Sequence, residues 1–196
     1  MLSRCVLDIR LVWQVPVGHY DGFEVTYNSE LRSARNPIVK NRVETNAITI
    51  RNLRPFRNYT FTIVTIAGVP QSKPRNSLPV SAVFATKESV PGSLTEFKAL
   101  EIQPRSVKFQ WKLPSVEANG IITGFVIQYG LVDRNDFDLG GAAGFLPTNS
   151  SEFNSQTRQG TIDNLIPGRN YTFQIQAKTK VGFGSPVLRT EKVHIL

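Results

Sequence analysis

Apolar and polar residues alternate along the longest patterned segments of this chain. Val107, Phe109 and Trp111 lie on one side of their segment, with Ser106, Lys108 and Gln110 on the other. Tyr171, Phe173, Ile175 and Ala177 alternate in the same way with Thr172, Gln174, Gln176 and Lys178. Tyr59, Phe61, Ile63, Thr65 and Ala67 form a third such series. A period of two with one polar face predicts half-buried antiparallel strands, because successive side chains of a strand point to opposite faces. Proline and glycine punctuate the runs at residues 16–18, 114–120, 167–168 and 182–184. No long helical periodicity occurs, so the elements predict a two-sheet, all-β sandwich.

The pattern is used twice. Trp13 to Pro16 (WQVP) returns as Trp111 to Pro114 (WKLP), 98 residues later. Gly22 to Tyr27 (GFEVTY) returns as Gly124 to Tyr129 (GFVIQY), at an offset of 102. Leu53 to Phe61 (LRPFRNYTF) returns as Leu165 to Phe173 (LIPGRNYTF), at an offset of 112. Landmarks in one order at a growing offset mean a tandem structural unit with insertions in its loops. The boundary falls at residues 1–88 and 89–196, and the proline-containing junction at 87–93 predicts a semi-rigid connection.

A Trp on the second strand, a Tyr on the third and a Leu-x-Pro-x-x-x-Tyr-x-Phe run resemble the fibronectin type III module, in both repeats. The resemblance implies two tandem fibronectin type III, immunoglobulin-like β-sandwiches. It makes Trp13, Tyr59, Trp111 and Tyr171 structural residues, with each tyrosine hydroxyl bonding back to the turn before strand F. In the lettering of such sandwiches it places B, C, E, F and G of the first repeat near residues 9–14, 23–28, 44–50, 59–67 and 80–86. It places A, B, C, E, F and G of the second near 94–99, 106–112, 125–131, 157–162, 171–179 and 186–193. The run from Lys180 to Pro186 is similar to the family's F–G turn. The first repeat departs from the pattern, reading Gly68 to Pro74 there, and its first strand is expected to be short or missing.

Composition narrows the class. With 40% hydrophobic and 19% charged residues, the 196-residue chain reads as an ordinary soluble globular protein. No apolar run approaches the roughly 18 residues that suggest a membrane span. The first residues are interrupted by charge too early for a secretory signal, so a fragment of a longer chain is expected. Cys5 stands alone, which excludes an internal disulfide and leaves open a partner elsewhere. The net charge of +8 is uneven: residues 1–90 hold twelve Lys/Arg against six Asp/Glu, and residues 91–196 hold eleven against nine. The first repeat therefore suits an acidic partner.

Candidate chemistry is sparse. His19 and His194 have no Cys, Asp or Glu at metal-ligand spacing, no glycine-rich phosphate loop opens a helix, and no cofactor is implied. Asp133, Asp136 and Asp138 do not match a calcium loop. Despite a pI near 9.9, aromatic residues recur on faces expected to be buried, which argues against nucleic acid. Three Asn-x-Ser/Thr sequons, at Asn58, Asn149 and Asn170, favour extracellular glycosylation. Asn58 and Asn170 are expected to point outward because Tyr59 and Tyr171 point inward, and Asn149 is expected in a loop. The 36-residue span from Tyr129 to Leu165 exceeds its 26-residue counterpart from Tyr27 to Leu53. This long C–E insertion offers Phe145 and Leu146 as a candidate ligand loop. Arg32, Arg35, Arg51, Arg54 and Arg57 are expected at one pole of the first repeat. There they meet either the second repeat, through acidic groups such as Glu117, or a sulfated glycosaminoglycan such as heparan sulfate.

The expected function is a non-catalytic ligand-binding or adhesion segment on the extracellular side of the plasma membrane, in a single-pass receptor engaging a protein ligand or cell-surface receptor. The turn from Val17 to Phe23 resembles receptor-type tyrosine phosphatases with fibronectin-only ectodomains. The alternatives are a neural cell-adhesion molecule or an intracellular fibronectin type III scaffold. Unpaired Cys5 and the run from Gly184 to Val187 argue against a cytokine receptor, and the absence of Arg-Gly-Asp argues against an integrin ligand.

Overall fold

A computed structural model describes residues 7–29, 39–68, 75–113, 118–132 and 146–193. The chain divides into two compact units, Met1–Lys87 and Glu88–Leu196. All of the regular elements among the described residues are β-strands. Each unit stacks one sheet on another around alternating apolar residues, so the chain is all-β and built from two sandwiches.

In the first unit, β1 (Leu7–Val12) pairs with β4 (Ala47–Leu53) to form one sheet. The other sheet runs β3 (Val39–Val43), β2 (Gly22–Ser29), β5 (Asn58–Ala67), then β6 (Arg75–Asn76) and β7 (Val80–Ala85), both on β5. Among the described residues no strand precedes β1. Leu11, Val25, Ile50, Leu53, Tyr59 and Phe61 form the buried cluster, with Trp13 only partly covered.

In the second unit, β8 (Glu96–Ile102), β9 (Val107–Lys112) and β12 (Gln159–Ile162) form a three-stranded sheet in the order β12-β9-β8. Facing it are β11 (Asn149–Asn154), β10 (Gly124–Leu131), β13 (Asn170–Thr179), and β14 (Gly182–Phe183) with β15 (Val187–Lys192) on β13. Among the described residues, fourteen buried residues form this core cluster, against six in that of the first unit. Trp111 is fully buried, with its ring centroid 5.6 Å from Phe125 and 5.2 Å from Phe153. The A and B strands are tied on their outer face by Glu96, which meets Lys98 at 2.8 Å and Lys112 at 2.7 Å. Hydrogen bonds from Lys112 and then Lys98 lower the Glu96 carboxyl to about 2.

Departures from the sequence expectation have local causes. The E strand begins at Ala47 rather than near residue 44, because residues 44–46 bend between β3 and β4. Strand A continues to Ile102, carried past a register shift between Ala99 and Glu101. β3 and β11 are additional edge strands. Asn149, expected in a loop, is the first residue of β11 and lies opposite Tyr129. The repeated glycine that opens strand C now has a reason. A Cβ at Gly22 would lie 2.9 Å from the Val43 carbonyl oxygen, and one at Gly124 would lie 2.8 Å from that of Phe153. Each glycine lets an edge strand close on the sheet. Strand G is split in both units at a proline, Pro79 or Pro186, which has no N–H to offer the ladder.

The tyrosine hydroxyl of Tyr171 accepts the Ile166 N–H at 3.0 Å. Tyr171→Phe is expected to destabilise the second unit by about 1–2 kcal/mol, since Ile166 is half exposed and water replaces part of the lost bond. Trp111→Ala removes a fully buried ring and is expected to cost about 3–5 kcal/mol. Denaturant titrations of the whole chain, read at second-unit resonances, check both; equal midpoints for all three proteins contradict this core.

Candidate recognition surfaces

In both units the corner between strands E and F is held by hydrogen bonds. In the first unit the Arg54 N–H donates to the Tyr59 hydroxyl at 2.8 Å. The Thr86 hydroxyl, at the end of strand G, donates to the Arg54 carbonyl at 2.7 Å and accepts the Arg57 N–H at 3.0 Å. In the second unit Gly168 N–H donates to the Val193 carbonyl, and Val193 N–H to that of Arg169, each at 3.0 Å. The chain therefore turns on a fixed frame in both units. One difference is costly: Phe56 holds a left-handed φ of 52° where the second unit has Gly168 at 75°. A side chain in that region carries backbone strain that glycine avoids. Asn52 and Asn164, both near 61–62°, occupy matching left-handed positions that suit asparagine.

Three of the candidate arginines lie at this corner. Arg51, on the exposed face of β4, meets Asp8 of β1 at 3.1 Å. Arg54 is exposed in the turn, and one Arg57 guanidinium nitrogen donates to the Phe56 carbonyl at 2.9 Å. The structure thus collects three of the five expected arginines on one strand end and one turn. Arg32 and Arg35 lie outside the described residues, as do Glu117, Cys5, His194 and the acidic residues Asp133, Asp136 and Asp138. His19 is exposed, 3.4 Å from Asp21, whose other oxygen accepts the Gly68 N–H at 2.5 Å. That aspartate ties the B–C connection to the end of β5.

The sequon asparagines differ in setting. Asn149 is exposed on edge strand β11, and its amide donates to the Thr148 hydroxyl at 3.0 Å. Asn58 and Asn170 begin β5 and β13 and are half-buried. Of the expected ligand loop, Phe145 lies outside the described residues and Leu146 is 82% exposed. Phe153, further along the same insertion, instead packs on Trp111. The insertion therefore feeds both the core and the surface.

One surface escaped the sequence reading. At one end of the second unit, Ile121 from the B–C connection and Val181 and Phe183 from the F–G turn are each about half exposed or more. The Thr123 N–H bonded to the Lys178 carbonyl at 2.8 Å ties the B–C connection to the end of β13. The Lys178 ammonium sits 5.3 Å from the Phe183 ring centroid. Apolar residues inside the glycine turn from residue 180 to 186 were the available signal. No group of three or more His, Cys, Asp or Glu able to hold a metal occurs among the described residues. Among the described residues there is no helix long and apolar enough to cross a membrane.

Comparison with known proteins agrees with this geometry. The fibronectin type III domain matches residues 8–80 and 91–192. Ephrin type-A receptor 4-B of Xenopus laevis is 24% identical over 191 residues, covering 90% of this chain and 18% of the receptor. Human neural cell adhesion molecule L1 is 32% identical over 181 residues, covering 88% of this chain and 13% of that protein. The chain thus spans less than a fifth of these relatives. A two-domain fibronectin type III segment of chicken tenascin superposes with a TM-score of 0.47 at 19% identity, covering 95% of this chain and 92% of that one. With two family matches that together take in most of its residues, the chain belongs to the fibronectin type III domain family.

Proposed function

We propose that this chain is a non-catalytic, extracellular recognition segment of a longer single-pass receptor or adhesion protein, engaging a protein ligand or another cell-surface receptor. The observation that carries the reading is the pairing of two family sandwiches with relatives that are receptors and adhesion molecules. The scaffold supports it physically: strands hold the core, while loops and strand ends present the exposed residues. The finer reading of a receptor-type tyrosine phosphatase parent rests on the turn from Val17 to Phe23. The named relatives, ephrin receptors and L1, favour the broader class. A phosphatase domain in the full-length chain is what the finer reading requires.

The extracellular assignment predicts glycan. Secreted from a eukaryotic cell, the chain is expected to carry it at Asn149, the most exposed sequon, and at Asn170, whose backbone opens β13. Intact-mass measurement before and after deglycosylation, with peptide mapping, checks this; a single unmodified mass from secreted material counts against the reading.

A second partner class has its own observation. Arg51, Arg54 and Arg57 fall within seven residues of sequence at one corner. Guanidinium forks match sulfate oxygens, and their attraction is screened by salt. A sulfated glycosaminoglycan such as heparan sulfate is the proposed ligand there. The chain is expected to elute from heparin above physiological salt and to lose that retention when all three arginines become alanine. Early elution of both proteins ends this assignment.

A further inference from the structure

The outer face of the larger sheet in the second unit carries a trough. Phe125, Ile127 and Tyr129 of β10 serve the core, so by alternation Gly124, Val126 and Gln128 face outward. Gly124 lies between Asn154 of β11 and Lys178 of β13, and Val126 lies between Glu152 and Gln176. Gly124 and Val126 are nevertheless buried, because longer side chains stand on either side of them. A glycine and a valine therefore floor a depression along strand C. It holds a cavity of about 300 Å³, with Thr123, Glu152, Asn154 and Lys178 among its lining residues. At the next outward pair the Gln174 amide donates to the Gln128 side-chain oxygen at 2.6 Å and closes the trough. All of these residues fall within the continuous stretches 118–132 and 146–193.

The walls offer held donors and acceptors of both signs. Asn154 Oδ1 accepts the Gln156 N–H and the Thr157 N–H at 3.0 Å each, and the Thr157 hydroxyl at 2.8 Å. Three bonds to the oxygen fix the amide and leave its two N–H donors without an acceptor among the described residues. Gln176 is held in the opposite sense. Its Nε2 donates to the Gly184 carbonyl at 2.8 Å, which leaves Oε1 to accept. Among the described residues the Glu152 carboxylate has no hydrogen-bond or ion-pair partner, and the Lys178 ammonium has only its contact with the Phe183 ring. The backbone of β10 is paired on both sides, by β11 and β13, so the trough has no ladder to offer an added strand.

We propose that this trough binds a neutral saccharide ring. A cavity of about 300 Å³ stands at the small end of ligand sites, which suits one ring. Glu152 disfavours an anion and Lys178 a cation, so the ligand carries no net charge. Polar walls disfavour an apolar one, whose entry would leave them without water or partners. Sugar hydroxyls each donate and accept, and so use both kinds of group here: Glu152 and Gln176 accept, Asn154 and Lys178 donate. The C–H face of the ring rests on Val126 and Gly124, where a glycine lets the ligand approach the backbone closely. The chemistry differs from that of the arginine corner, whose proposed ligand is sulfated.

The test is NMR titration of the whole unglycosylated chain with the methyl glycosides of glucose, galactose, mannose and N-acetylglucosamine. At least one is expected to give saturable shifts centred on Gly124, Val126, Glu152 and Asn154, at millimolar affinity and with little dependence on sodium chloride. Glu152→Ala and Lys178→Ala, both outside the core cluster, are each expected to weaken that binding at least tenfold while Ile127 and Phe173 resonances stay native. Four results overturn the proposal. They are no saturation by any of the four glycosides, equal binding of the open-chain polyol sorbitol, unchanged affinity in both variants, and a steep loss of affinity with salt, which assigns the trough to a charged ligand. The source of the ring is read from chain secreted by a eukaryotic cell, an arm that rests on the glycosylation proposed above. Trough resonances shifted before any sugar is added, and restored by Asn149→Gln, assign the ring to the chain's own glycan on the same edge strand. Shifts that come only on titration assign it to another molecule, and both outcomes uphold the site.

Discussion

The inner face of strand F is the constraint on which both sandwiches depend. Tyr59 and Phe61 in β5, and Tyr171, Phe173, Ile175 and Ala177 in β13, are central in their sheets and feed each core. Neighbouring rings pack against them: Tyr27 stacks on Phe61 at 5.6 Å and Tyr129 on Phe173 at 5.8 Å. Burying such rings supplies most of the driving force available to a domain without disulfides, at about 25 cal/mol per Å² of apolar surface. The first tyrosine of each strand does a second task, because its hydroxyl fixes the turn that delivers the strand. Register and turn are therefore set together. A one-residue slip would place every one of these side chains on the wrong face.

With that face satisfied, what differs between the units lies at the sheet edges and in the connections. The second unit adds strand A and buries Trp111 completely; the first leaves Trp13 partly covered and strand G exposed. Among the described residues neither enclosed indole N–H has a hydrogen-bond partner, so each Trp contributes its ring rather than its polar atom. The groups proposed for recognition are those that project from this frame. The arginine corner, the sequon asparagines and the exposed F–G turn each sit where a strand ends and leave the core untouched.

The sandwich was legible because its interior strands alternate strictly, and the two copies of each landmark checked one another. The F strands begin within a residue of their expected positions. The edge strands β3 and β11 were not legible. In β11 only Ser151 and Phe153 are even half-buried, since an edge strand is paired on one side and wetted on the other. Its six residues therefore read as polar loop, and Asn149 with them. The candidate sites were legible as residue types and much less as places. Asp8 as the partner of Arg51 joins residues 43 apart in sequence, and no local pattern announces it. The exposure of β7 together with its place opposite β5 needed the cross-strand register.

The account's central claim is that each unit stands on its own sandwich core and that, among the described residues, the first core is the smaller. Residue-resolved urea denaturation of the whole chain tests this most directly, comparing NMR intensities at Val25 and Phe61 with those at Ile127 and Phe173. Stability and its denaturant dependence follow the surface buried on folding. The account predicts two separate transitions, with Val25 and Phe61 lost together at lower urea and Ile127 and Phe173 lost together at higher urea. A single coincident transition, or loss of the second unit first, would contradict it.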